Sequence, residues 1–126
     1  MQLIQDRPDF AFFLRGADGT SALVADHRLT ASFYLSPDRL VEGWPVTDAA
    51  ALSPDDLAPL LALAPALIVL GTGAVQAFPP AAAQAACLSR GIGLEAMTNA
   101  AAARTFNVLA GEGRRVVAGF VLRSGN

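Results

Sequence analysis

Between Gly91 and Leu122 the order of residue types leaves the backbone few options. Gly91-Ile92-Gly93-Leu94-Glu95-Ala96-Met97 reads as a strand, Thr98-Asn99 as a cap, and Ala100 to Ala110 as a helix. Glu112-Gly113-Arg114-Arg115 then reads as a turn and Val116 to Leu122 as a second strand. This is one β-α-β unit. A helix so rich in alanine has a thin side-chain layer and can lie close to a sheet, with Phe106 and Leu109 supplying packing volume. Its polar members, Arg104, Thr105 and Asn107, therefore stand out.

The preceding stretch follows the same logic. Ala66-Leu67-Ile68-Val69-Leu70 is apolar at every position, the pattern of a central strand covered on both faces, and it ends at Gly71-Thr72-Gly73. Ser53-Pro54-Asp55-Asp56 predicts a helix start: a hydroxyl cap, a proline suited to the first turn, and two carboxylates at the positive end of the dipole. That helix is expected to run to about Leu63. A second helix is expected after Phe78-Pro79-Pro80, ending at Arg90 because Gly91 can take the left-handed cap. Further upstream, Ala11 to Leu14 and Ser21 to Val24 flank Gly16-Ala17-Asp18-Gly19 and predict a hairpin. Extended pieces follow at Thr30 to Leu35 and Leu40 to Val46. The second holds Trp44, read as a core or groove anchor, with Pro45 favouring a strand end. The expectation is one α/β domain spanning residues 1–126.

Composition narrows the functional classes. With 126 residues, 53% hydrophobic and 16% charged, the chain can fill one core. A net charge of −2, without a basic tail, argues against a broad electrostatic grip on nucleic acid or anionic lipid. The apolar run Leu57 to Leu70 is broken by Pro59 and Pro65 and is shorter than the roughly 18 residues of a membrane span, so no direct membrane insertion is expected. Met1 to Asp6 lacks the charge pattern of a secretory signal, so a cytoplasmic location is expected. Cys87 cannot form an internal disulfide and reads as a small buried hydrophobe.

No catalytic constellation emerges. Gly71-Thr72-Gly73 after a buried strand invites a phosphate-binding reading, but a dinucleotide fingerprint lacks its next glycine and the chain has no lysine for a phosphate loop. What remains is a glycine turn at the carboxyl end of a central strand, where open α/β sheets place ligands. Thr98-Asn99 is expected to bring amide groups to the same sheet edge. Asn107 lies eight residues beyond Asn99, two turns along the same helix side, and is expected to bond loop backbone near Gly71 to Gly73 or Glu112 to Arg114. Arg104 could serve a ligand anion or solvate the helix surface, while Glu112 and Arg114, around a glycine turn, could be a surface ion pair or the fixed rim of a pocket. His27, the sole histidine, lacks partners for a triad or zinc site and reads as a surface or turn residue. The candidate ligand pocket is thus Gly71, Thr72, Gly73, Asn99, Arg104, Asn107 and Arg114, with no metal and no cofactor expected.

Three ordered segments carry a resemblance: Ala66 to Gly73, Gly91 to Met97, and Arg104 through Val116. Together they resemble the domain-of-unknown-function 498/598 family, the Mth938-like proteins, with further support from Ser36-Pro37 and Trp44. Four positions depart from its pattern: Thr98 and Asn99 where Asp then Thr is usual, Ala103 where Cys is frequent, and Phe106 where Tyr is frequent. Thiol or phenol chemistry at those positions is lost here. The resemblance implies a three-layer α/β fold with a mixed central sheet flanked by helices, and it brings no established enzymatic activity. Eukaryotic relatives include a mitochondrial assembly factor for respiratory complex I. The expectation is a non-enzymatic protein-binding or assembly-type factor, with a membrane complex or its assembly factors as partner. The alternative is a small-ligand protein or enzyme with an anion pocket at the carboxyl ends of the central strands.

Overall fold

The Leu67–Gly71 run is paired on both sides and covered on both faces, as its unbroken apolar character requires. The computed structural model describes residues 10–123, so Met1 to Asp6 lies outside the described residues. The strands are β1 (Leu14–Ala17), β2 (Ala22–Val24), β3 (His27–Leu29), β4 (Phe33–Ser36), β5 (Arg39–Glu42), β6 (Leu67–Gly71), β7 (Gly93–Met97) and β8 (Val116–Phe120). The α-helices are α1 (Pro54–Leu61), α2 (Ala81–Leu88) and α3 (Asn99–Gly111). β1, β2 and β3 form a small antiparallel sheet, and the central sheet runs β5-β4-β8-β6-β7. In it β6 is parallel to β7 and β8, whereas β4 is antiparallel to β5 and β8, making the sheet mixed.

Alternation along the strands sorts two cores. Val69, Val116, Ala118 and Phe120 face α3 and the small sheet, where they pack with Ala102, Phe106, Leu14 and Val24. Ile68, Leu70 and Val117 face α1 and α2, with Leu57, Leu60, Cys87 and Trp44. The two parallel crossovers thus place α2 and α3 on opposite faces, as right-handed connections must when the chain moves outward to β7 and returns past β6 to β8.

Local chemistry sets the helix ends. Ser53 caps α1 in a reciprocal capping box with Asp56, at 3.2 and 2.9 Å. α1 stops at Leu61 instead of Leu63, and the chain leaves through Ala64, a non-glycine residue at φ 54°. After α2, Gly91 takes φ 70° as the left-handed cap residue. Cys87 is fully buried, and burial pushes its thiol pKa upward against a smaller opposing effect of Arg90.

The first sheet departs from the sequence expectation in two ways. Ala11 to Phe13 is not strand: Phe12 donates to the Pro37 carbonyl at 3.1 Å, and only the Phe13 carbonyl, accepting from Ala25 at 2.9 Å, continues the pairing toward β2. His27 is at the surface, but it lies on β3 opposite Val24 of β2 and not in a turn.

Candidate functional site

The turn Gly71-Thr72-Gly73 and the start of α3 meet at the carboxyl end of β6, and Asn99 joins them. Its Oδ1 accepts from the Gly73 amide at 3.1 Å, while Nδ2 donates to the carbonyls of Asp18 at 2.8 Å and Val121 at 3.0 Å. Its own amide donates to the Gly73 carbonyl at 2.8 Å. Asn99 is wholly buried. Gly71 is what admits it, since a Cβ there would overlap Asn99 Oδ1 and lie 2.9 Å from the Phe120 ring. Thr98 supplies the helix cap, accepting from the Ala101 amide at 3.3 Å. Asp18 anchors the other side of this junction: its carboxylate accepts from the Thr20 and Ser21 amides at 2.9 and 2.8 Å, which hold its pKa below the ordinary value.

Thr72 is spent on the segment that follows. Its hydroxyl accepts from the Ala77 amide at 3.0 Å and donates toward the carbonyls of Val75 at 2.9 Å and Met97 at 3.2 Å. Gln76 adds a bond to the Ala96 carbonyl of β7 at 2.9 Å. The segment is thereby pinned against β7 with Val75 and Phe78 turned outward, 76% and 73% exposed.

Asn107 makes a reciprocal pair with one residue of β1: Leu14 N–H donates to its Oδ1 at 2.9 Å and its Nδ2 donates to the Leu14 carbonyl at 2.7 Å. The side-chain amide stands in for a neighbouring strand. Its partner is therefore neither the glycine turn nor the Glu112 to Arg114 turn, but backbone brought over α3 by the small sheet. Asn107→Ala is expected to lower stability by about 1–2 kcal/mol, because it leaves a half-buried donor and acceptor of β1 without partners. A urea unfolding midpoint equal to that of the parent would refute this.

The remaining two candidates lie apart. Arg104 is exposed on α3 and borders two shallow depressions of about 220 and 240 Å³, the second of which also touches Asn107. Arg114 lines a larger cleft of about 600 Å³ at the amino ends of β6 and β8. With four residue steps from Leu67 to Gly71, that end lies about 13 Å from the glycine turn. The seven candidates thus do not surround one cavity: Gly71, Thr72, Gly73 and Asn99 form a bonded junction, Asn107 and Arg104 sit further along α3, and Arg114 is at the opposite sheet end.

The larger cleft contains what sequence reasoning missed. Ser36, Pro37, Asp38 and Arg39 from the β4–β5 turn face Ala62, Leu63 and Pro65 after α1, with Arg114 and Arg115 leading into β8. Nothing in their spacing links three segments this far apart in the chain; only the β5-β4-β8 order does. Among the described residues, no group of three or more His, Cys, Asp or Glu is placed to hold a metal ion, and no helix is long and apolar enough to cross a membrane.

The architecture is a three-layer α/β fold in which a mixed five-stranded sheet is packed between two helices on one side and a helix with a small antiparallel sheet on the other. Residues 15–121 match the family model described as a protein of unknown function, DUF498/DUF598. The chain belongs to this family, the Mth938-like proteins. A Xanthomonas campestris protein solved by NMR is 56% identical over 97% of this chain and 92% of that one, with a TM-score of 0.82. A Bordetella parapertussis crystal structure is 29% identical over 94% and 99% of the two chains, with a TM-score of 0.83. A Bordetella pertussis solution structure, described as a Mth938-like domain, is 26% identical over 100% and 95%, with a TM-score of 0.82. A search of curated proteins finds no match.

Proposed function

We propose that this protein works by binding a protein partner, as an assembly-type factor, and not by catalysis. The observation that carries this reading is the pinned segment after β6. Val75 and Phe78 stay largely in water although Thr72 and Gln76 hold their backbone in one place. Apolar side chains on a fixed backbone lose little further conformational freedom when a partner covers them, and burying each is worth about 1.5–3 kcal/mol. The family resemblance, which includes a mitochondrial assembly factor, supports the same reading. The rival, a ligand pocket at the carboxyl ends of the central strands, is weakened because Thr72, Asn99 and Asn107 spend their polar atoms on backbone groups of this chain.

A photo-crosslinking residue at position 78, introduced in the native cell, is expected to capture a reproducible protein partner. The Val75→Asp/Phe78→Asp double variant is expected to lose that partner while keeping its unfolding midpoint. Capture that is indifferent to the double variant, or turnover of a metabolite with no partner found, would overturn the proposal.

A further inference from the structure

We infer that the cleft at the amino ends of β6 and β8 binds a small organic dianion with an apolar group, a phosphate monoester being the form that fits its charge. This site lies at the other end of the sheet from Val75 and Phe78 and does not rest on the protein-binding reading.

Three features support it. The cleft gathers Arg39, Arg114 and Arg115, three of the chain's nine cationic side chains, at one opening in a protein whose net charge is −2. The one acidic side chain in the lining is Asp38, and one of its oxygens already accepts from Ser36 Oγ at 2.8 Å. The lining thus carries a formal charge of +2, which a phosphate monoester balances once its second proton has left near pH 6. Arginine suits this ligand because its fork of donors matches phosphate oxygens.

The walls are fixed before any ligand arrives. Ser36 and Arg39 are directly opposed across the β4–β5 hairpin, and the Arg115 carbonyl accepts from the Ala66 amide at 2.8 Å. The end of α1 would set its negative pole against an anion, but the Leu60 and Leu61 carbonyls there accept from Leu63 and Ala64 at 3.1 and 2.9 Å. The exposed Ala62 and the half-buried Leu63 add apolar surface to the lining, whereas Pro65, Val116 and Val117 border it as buried residues. A volume of about 600 Å³ lies within the range of small-molecule sites. Three cationic side chains together with the apolar surface of Ala62 and Leu63 select an anion attached to a small apolar body over free phosphate.

The test is titration of the isotope-labelled protein at pH 7.5 with phenyl phosphate, inorganic phosphate and benzoate, followed by amide and arginine side-chain NMR signals. Saturable shifts confined to residues 36–39, 62–66 and 114–117 are expected, with phenyl phosphate the tightest and benzoate the weakest. Arg39→Gln and Arg114→Gln should each weaken phenyl phosphate about tenfold or more, since each removes a charge-assisted contact. Arg104→Gln, on the other face, should leave it unchanged. Unfolding midpoints check that each variant is folded. Absence of saturable shifts in the cleft, benzoate binding as tightly as phenyl phosphate, or an Arg39→Gln/Arg114→Gln double variant that binds like the parent would each overturn the inference.

Discussion

Asn99→Ala is expected to be among the most destabilising single changes in this chain, costing about 3–5 kcal/mol although it removes only a small side chain. The size follows from what the amide leaves behind. The Gly73 N–H and the carbonyls of Asp18 and Val121 lose their partner together, at a position with no solvent access. A buried polar group without a partner costs about 1–3 kcal/mol, and partial relaxation or an entering water keeps the total below three full penalties. The groups belong to three distant segments: the first hairpin turn, the end of β6 and the end of β8. The loss should therefore loosen the junction between the small sheet and the central one, not a single loop. Urea unfolding with an unchanged slope and a much lower midpoint is the expected record. A midpoint within about 1 kcal/mol of the parent would show that Asn99 is dispensable to the fold and available for another role.

That junction marks the boundary of what the sequence reveals. Helix α1 and the crossovers β6-α2-β7 and β7-α3-β8 were legible because their signals are local: a Ser-Pro-Asp-Asp start for α1, an unbroken apolar strand, a glycine stop after α2, and a cap before α3. The small sheet was only partly legible. Its strands are three or four residues long, too short for alternation to set their limits, so Ala11 to Phe13 looked like strand and His27 like a surface or turn residue. Asn107 was identifiable as a residue needing compensation, since asparagine is a poor interior helix residue, but its partner Leu14 lies 93 positions away. Thr72 and Asn99 drew notice as candidates for ligand contact because polar residues beside glycine turns suit both ligands and backbone. Only the hydrogen bonds distinguish the two uses. Of the arginine cleft only Arg114 was legible, for a different reason: its three segments carry no shared signal in the sequence, and sheet order brings them together.

Trp44 provides the second large effect and a test of how tightly the other face is packed. Its ring is 4% exposed, its indole N–H donates to the Asp56 carbonyl at 2.9 Å, and it meets Tyr34 edge-on at 6.3 Å. Trp44→Ala should cost about 3–5 kcal/mol through the cavity it opens and the carbonyl it strands. Gly119 lies beneath the ring, where an added Cβ would come within 2.7 Å of two ring carbons and 3.3 Å of Leu60 Cδ2. Gly119→Ala alone should therefore cost about 1–3 kcal/mol by overpacking. In the Trp44→Ala background the same methyl group meets only Leu60 and occupies part of the vacated space, so its cost should fall to near zero. The double variant should thus be more stable than the sum of the two single changes predicts, by at least about 1 kcal/mol. Strict additivity in a double-mutant cycle measured by urea unfolding would mean that Gly119 is not there to make room for the tryptophan, and that the β8 backbone can move away from α1 without cost.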